Sequence, residues 1–148
     1  MGEKNPKFLG GKKVDLDFGA ISYKAVILSA VAICILGSIW YSPKVFWNTW
    51  QTLKGLKQED LPSLGKVMTG SILMAIVNSF LLAILAGWAN IDGWVDGVWL
   101  GLVVGLVIAG TIATNALYEG MKLKLYLITA GFHVISMILA GIIIGSFS

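Results

Sequence analysis

The chain has 148 residues, 57% of them apolar and only 13% charged, with a mean hydropathy of +0.82. A soluble domain carries about a quarter charged residues, so this composition argues against a soluble enzyme, a nucleic-acid binder and a disordered chain. What the length allows is one membrane domain. The net charge of +3 rests on lysine alone, placed mostly between apolar runs, where topology and lipid headgroups explain it better than a polyanionic partner.

Residues 1–20 read as a polar, flexible tail carrying Glu3, Lys4, Lys7, Lys12, Lys13, Asp15 and Asp17. Pro6 stands where N-myristoylation requires Ser or Thr, so that modification is not expected. Four long apolar runs follow, at 21–40, 67–88, 93–117 and 123–147, carrying Lys24, Asp96 and Lys124 near three of the starts. As helices, runs of this length reach roughly 30 Å or more, the thickness of a bilayer core. Helices are also what hydrocarbon demands, because backbone groups there must bond internally. The first run lies behind a polar tail and precedes three more spans, so it reads as a span rather than a cleaved signal. The expected fold is all-α: a polytopic membrane protein with four transmembrane helices in a single domain, 21–148.

Between the first two spans, Ser42-Pro43 reads as a helix start, Ser as cap and Pro in the first turn. Phe46, Trp50 and Leu53 then recur at i, i+4, i+7 with Lys44, Asn48, Gln51 and Lys54 between them. This spacing predicts an amphipathic helix over 43–55 lying in the membrane interface, ended or loosened by Gly55. The links 89–92 and 118–122 are short enough to make antiparallel hairpins. The tryptophans, Trp40, Trp47, Trp50, Trp88, Trp94 and Trp99, mostly flank span ends as interfacial anchors. Near the spans, Lys44, Lys54, Lys57, Lys66, Lys122 and Lys124 outweigh Lys12, Lys13 and Lys24. By the positive-inside rule both termini are then outside, in a bacterial inner membrane.

Two small-residue ridges repeat every four residues: Gly93, Gly97, Gly101, Gly105 and Ala109 in the third span, and Ser71, Ala75, Ser79, Ala83 and Gly87 in the second. Folding that hairpin about residue 90 sets the ridges opposite one another, and close packing is what holds helices together in lipid. The expectation is that these two spans pack ridge to ridge. A contact with another copy is the alternative, and Gly141 with Gly145 forms a further pair suited to either.

Polar groups inside a span are functional candidates, weighed against a role as interhelical glue. Asn78 lies mid-span. Thr111, Asn115 and Glu119 share one helix face, with Lys122 or Lys124 in reach of Glu119. His133 is the single histidine, sharing a face with Thr129 and Met137. Imidazole suits proton handling, but no second histidine or paired cysteine gives metal-ligand spacing, so no metal or cofactor is expected. Cys34, the lone cysteine, sits in an apolar run as packing. No phosphate loop, serine elbow or paired intramembrane carboxylate is present in the sequence.

The segment Gly37-Ser38-Ile39-Trp40-Tyr41-Ser42-Pro43, with Phe46 and Trp50 after it, resembles the opening of domain-of-unknown-function family 1761, small four-span membrane proteins. The similarity continues at Thr114-Asn115-Ala116-Leu117-Tyr118-Glu119-Gly120 and from Lys124-Leu125-Tyr126 to Ala130-Gly131-Phe132-His133, covering about residues 22–147. The resemblance implies the four-helix membrane fold and the interfacial turn, and no reaction. It points to Tyr41, Ser42, Pro43, Asn115, Glu119 and His133, with the Tyr41 corner and the Asn115–Glu119 stripe on the same side of the membrane.

The function expected is non-enzymatic: an oligomer former, or an accessory subunit of a membrane complex, with lipid and membrane subunits as partners and no nucleic acid. The alternative is a small oligomeric transporter or proton-linked carrier using Asn78, Asn115, Glu119 and His133.

Overall fold

The computed structural model of the chain describes residues 17–148. They form five α-helices, two short 3-10 turns and no strand: α1 (Tyr23–Trp40), α2 (Trp47–Lys54), α3 (Leu64–Ala89), α4 (Trp94–Glu119) and α5 (Leu123–Ser146). All but α2 are long and apolar enough to cross a membrane. The expected spans are thus recovered with their ends moved by at most three residues.

Local chemistry sets those ends. The Ser22 hydroxyl caps α1 by accepting from the Ala25 N–H at 3.4 Å. Asn90 ends α3 in the left-handed region, φ 48°, which asparagine tolerates better than most side chains. Gly55 and Gly120 end α2 and α4 at φ 67° and 64°. The Asp92 N–H donates to the Asp96 carboxylate at 3.1 Å, and that carboxylate sits in the first turn of α4, where the helix dipole favours it.

Two boundaries differ from expectation. Residues 1–16 of the expected tail lie outside the described residues, but Phe18–Ala20 form a 3-10 turn. Phe18 stacks on Phe80 of α3 with centroids 6.4 Å apart, so the packed domain begins before α1. The interfacial helix is shorter than 43–55. Residues 43–46 form a turn in which the Ser42 carbonyl accepts from Val45 N–H at 3.0 Å and Trp47 N–H at 3.2 Å. Ser42 thus serves through its backbone, and α2 starts at Trp47 without a side-chain cap. Its expected amphipathicity holds except at Gln51: Phe46, Trp50 and Leu53 are half-buried and Lys44, Asn48 and Lys54 exposed, but Gln51 is half-buried too, its amide donating to the Leu56 carbonyl at 3.4 Å.

The helices are arranged around α5. It packs along α4, and its other sides meet α1, α3 and, at one end, α2. Helices α1, α3 and α5 share a core of mostly small side chains, including Ala25, Ala30, Ala75, Ala83 and Ala140, around the fully buried Leu82. The first eleven residues of α3, 64–74, are all exposed.

The ridge-to-ridge pairing of α3 with α4 is not formed. Those two helices touch only slightly, despite their four-residue link. The glycine ridge of α4 lies instead on α5. A Cβ added at Gly97 would strike the Gly141 carbonyl oxygen, one at Gly101 the Met137 carbonyl oxygen, and one at Gly145 the Gly93 carbonyl oxygen. One at Gly105 would come within 2.8 Å of the Val134 Cα. Close approach needs small residues on both helices, and α5 supplies Gly141 and Gly145 in register behind a three-residue link. The α3 ridge is split. Ala75, Ser79 and Ala83 are buried, whereas Ser71 and Gly87 are exposed.

Gly101→Leu forces α4 off the backbone of α5 and is expected to cost about 3 kcal/mol, the upper end for overpacking. Gly110→Leu, where an added Cβ meets nothing within 4 Å, is expected to leave stability unchanged. Melting of both variants in mild detergent checks the pair, and equal melting temperatures would refute the glycine contact.

Candidate functional site

The end of α1, the turn after it and the first half of α5 converge on an aromatic corner. The Trp40 indole Nε1–H donates to the Ile128 carbonyl at 3.1 Å. Its ring lies 4.8 Å from that of Phe46 and 6.3 Å from that of Phe132. Tyr41 meets Phe132 edge-on at 5.4 Å and Trp50 at 6.2 Å. Trp47 stacks on Trp50 at 5.4 Å, and the Lys54 ammonium sits 5.4 Å over the Trp50 ring. Such contacts add about 0.5–1.5 kcal/mol each beyond area burial.

Two glycines make room. A Cβ at Gly131 would lie 3.5 Å from the Trp40 ring, and one at Gly37 would lie 3.5 Å from Phe132. Both distances are ordinary van der Waals contact, so alanine fits at either position. Burial pushes the Tyr41 hydroxyl above the ordinary tyrosine range, so it remains a protonated donor at neutral pH.

His133 follows Phe132 on α5, half-buried, its ring 5.3 Å from the Phe132 ring. One turn on, Met137 is buried, and one turn back, Thr129 is half-buried. The corner thus gathers Tyr41, Ser42, Phe132 and His133. It does not gather Asn78, Asn115 or Glu119. The Asn115–Glu119 stripe is at the same end of the bundle, but α4 packs on α5 and not on α1 or α2. Asn78, Asn115 and Glu119 are all exposed. Thr111 and Thr114 return their hydroxyls to their own helix, donating to the Val107 and Gly110 carbonyls at 3.1 and 3.2 Å. Glu119, Lys122 and Lys124 are exposed together, and an ion pair in such a setting is worth about 0–1 kcal/mol.

Sequence reasoning passed over two serines that are fully buried with the ridge residue Ser79: Ser29 and Ser136. Ser29 donates to the Ala140 carbonyl at 3.4 Å and Ser136 to the Phe132 carbonyl at 2.7 Å; Ser79 Oγ has no partner among the described residues. Their spacing from Ala25 and Ala140 in the small-residue stripes was the available signal. Tyr126, read in the sequence only as part of a longer segment, has a bridging role: its hydroxyl donates from α5 to the Ala109 carbonyl of α4 at 3.2 Å. A cavity of about 320 Å³ opens at the opposite end of the bundle, among Ile21, Ala25, Ala83, Gly87, Asn90 and Ile144, away from every motif residue.

Trp40→Phe keeps the ring packing and removes the bond to Ile128. A loss of about 1 kcal/mol is expected, the net worth of one hydrogen bond, read from thermal melting. Because folding raises the Tyr41 pKa, its contribution is complete below about pH 10 and is lost as pH rises past that point, where the unfolded chain ionises first. The wild-type protein should therefore lose melting temperature faster than Tyr41→Phe as the pH rises past about 10; parallel curves would show that Tyr41 is not the group responsible.

The profile of a family described as protein of unknown function (DUF1761) matches residues 24–145. No curated protein and no solved structure matches the chain.

Proposed function

This chain belongs to the DUF1761 family of proteins of unknown function, and from that premise we propose that it is a non-enzymatic membrane subunit that works by lateral association within the bilayer. The observation that carries this reading is where the intramembrane polar side chains lie. Asn78 and Asn115 are on the outside of the bundle, and no hydrogen bond reaches either carboxamide among the described residues. A polar group in hydrocarbon costs several kcal/mol unless it finds a partner. An outward-facing amide at the mid-span depth of Asn78 is therefore satisfied by a neighbouring protein. A carrier, by contrast, needs its polar side chains along one path, and Asn78, Asn115, Glu119 and His133 share none within the protomer.

The aromatic corner fits the role of a rigid anchor. It holds α2 against α5 beside the headgroups, with Lys44, Lys54, Lys57, Lys66, Lys122 and Lys124 all exposed. By the positive-inside rule, that lysine cluster supports the reading that this end is cytoplasmic and both termini outside, in a bacterial inner membrane.

The native mass of the protein, extracted from its own membrane with lipid retained, tests the reading. A species larger than one copy, with or without other polypeptides, is expected. A lone protomer at membrane concentrations would overturn it.

A further inference from the structure

On α3, Ser71, Met74, Asn78, Leu81, Leu85 and Trp88 follow one another at steps of three, four, three, four and three residues, and every one is exposed. This is the a/d spacing of a heptad seam, and no helix of the protomer covers it. The face that does pack inward is a different stripe, Ala75, Ser79, Leu82, Ala83 and Ala86. The seam is apolar except at two of its three a-type positions, Ser71 and Asn78, the third being Leu85. A single Asn in such a seam fixes register and oligomeric state in coiled coils.

Depth makes Asn78 the decisive residue. It lies 14 residues from the start of α3 and 11 from its end, so by helical rise it is about 16 Å or more from either terminus. That is beyond the reach of water or headgroups in a hydrocarbon core of about 30 Å. Asn115 differs, since it lies one turn from Glu119 and the membrane surface.

We infer that α3 pairs with α3 of a second copy of this chain, with the two Asn78 carboxamides hydrogen-bonded to each other across the two-fold axis. This rests on the lateral-association reading above and names its partner. The second copy follows from two features. A carboxamide is donor and acceptor at once, so two of them satisfy each other reciprocally. All copies enter the membrane with one topology, so a two-fold axis lies along the bilayer normal and brings residue 78 of each copy to the same depth. The heptad steps then mesh a and d positions with their equivalents at the shallow left-handed crossing common in membranes.

The test uses the full chain in native membranes, in a Cys34→Ser background so that introduced cysteines stand alone. Met74→Cys and Leu81→Cys, on the seam, are expected to form disulfide-linked dimers on mild oxidation. Ile76→Cys, exposed on α3 away from the seam, is expected to remain monomeric. Asn78→Leu should weaken dimerisation by about tenfold, the scale of one strong interhelical hydrogen bond in a membrane, and Asn78→Gln should restore most of it. Dimers by native mass without cross-linking on the seam would overturn this inference and leave the association reading standing, as would an assembly containing other polypeptides and no seam cross-link. Cross-linking at Ile76→Cys as readily as at the seam would overturn it too. Seam cross-linking that Asn78→Leu leaves unchanged would overturn the role of the carboxamide. A lone protomer by native mass would overturn both readings.

Discussion

Backbone contact between α4 and α5 is the constraint on which the arrangement depends. Gly97, Gly101 and Gly105 meet Gly141, Met137 and Val134, and Gly145 meets the Gly93 carbonyl, with no space for a side chain at Gly97, Gly101, Gly105, Gly141 or Gly145. In lipid there is no hydrophobic gain from helix burial, so intimacy of packing carries the association. Each carbonyl that faces a glycine across this contact also brings Cα–H groups and peptide dipoles close, which adds weak polar attraction of about 0.5–1 kcal/mol per contact. The Tyr126 hydroxyl on the Ala109 carbonyl fixes the outer end of the same contact.

Once α4 is committed to α5, the rest follows by exclusion. The two helices joined by the tight Asn90–Gly93 link part company, because α4 has spent its small face elsewhere. Helix α3 turns its alanines toward α1 and α5 and keeps the stripe around Asn78 outward. Helix α5 becomes the axis, receiving α4 on one side, α1 and α3 on others, and the aromatic corner at its start. The segments Trp40–Tyr41 and Gly131–Phe132–His133 are the two ends of that last junction.

How much of this was legible depends on the range of the interaction. The four spans were readable to within three residues because length, apolarity and backbone satisfaction act along the chain. The choice of partner acts across it. The matched ridges of α3 and α4 made a consistent pairing, and so did folding the next hairpin about residue 119, which sets 145 by 93, 141 by 97 and 137 by 101. Spacing alone did not separate them. What decided was size: glycine faces glycine at two successive levels of the second hairpin, 93 with 145 and 97 with 141, but at only one level of the first, 87 with 93. The aromatic corner was legible as residues but not as a place, since Trp40 and Ile128 are 88 positions apart. Nor could periodicity tell which face of α3 would be left outward.

The position of α5 at the hub bears on how the molecule is made. Synthesis delivers the hub last. Until residue 123 and beyond leave the ribosome, α1 and α3 have only each other. The Ser29 hydroxyl waits for a carbonyl 111 residues downstream. Helix α4 enters the bilayer with its glycine face open to lipid. Helix α5 emerges after them with the face that α4 packs along and the carbonyl that Ser29 meets, so the contacts around the hub form only once α5 has been made.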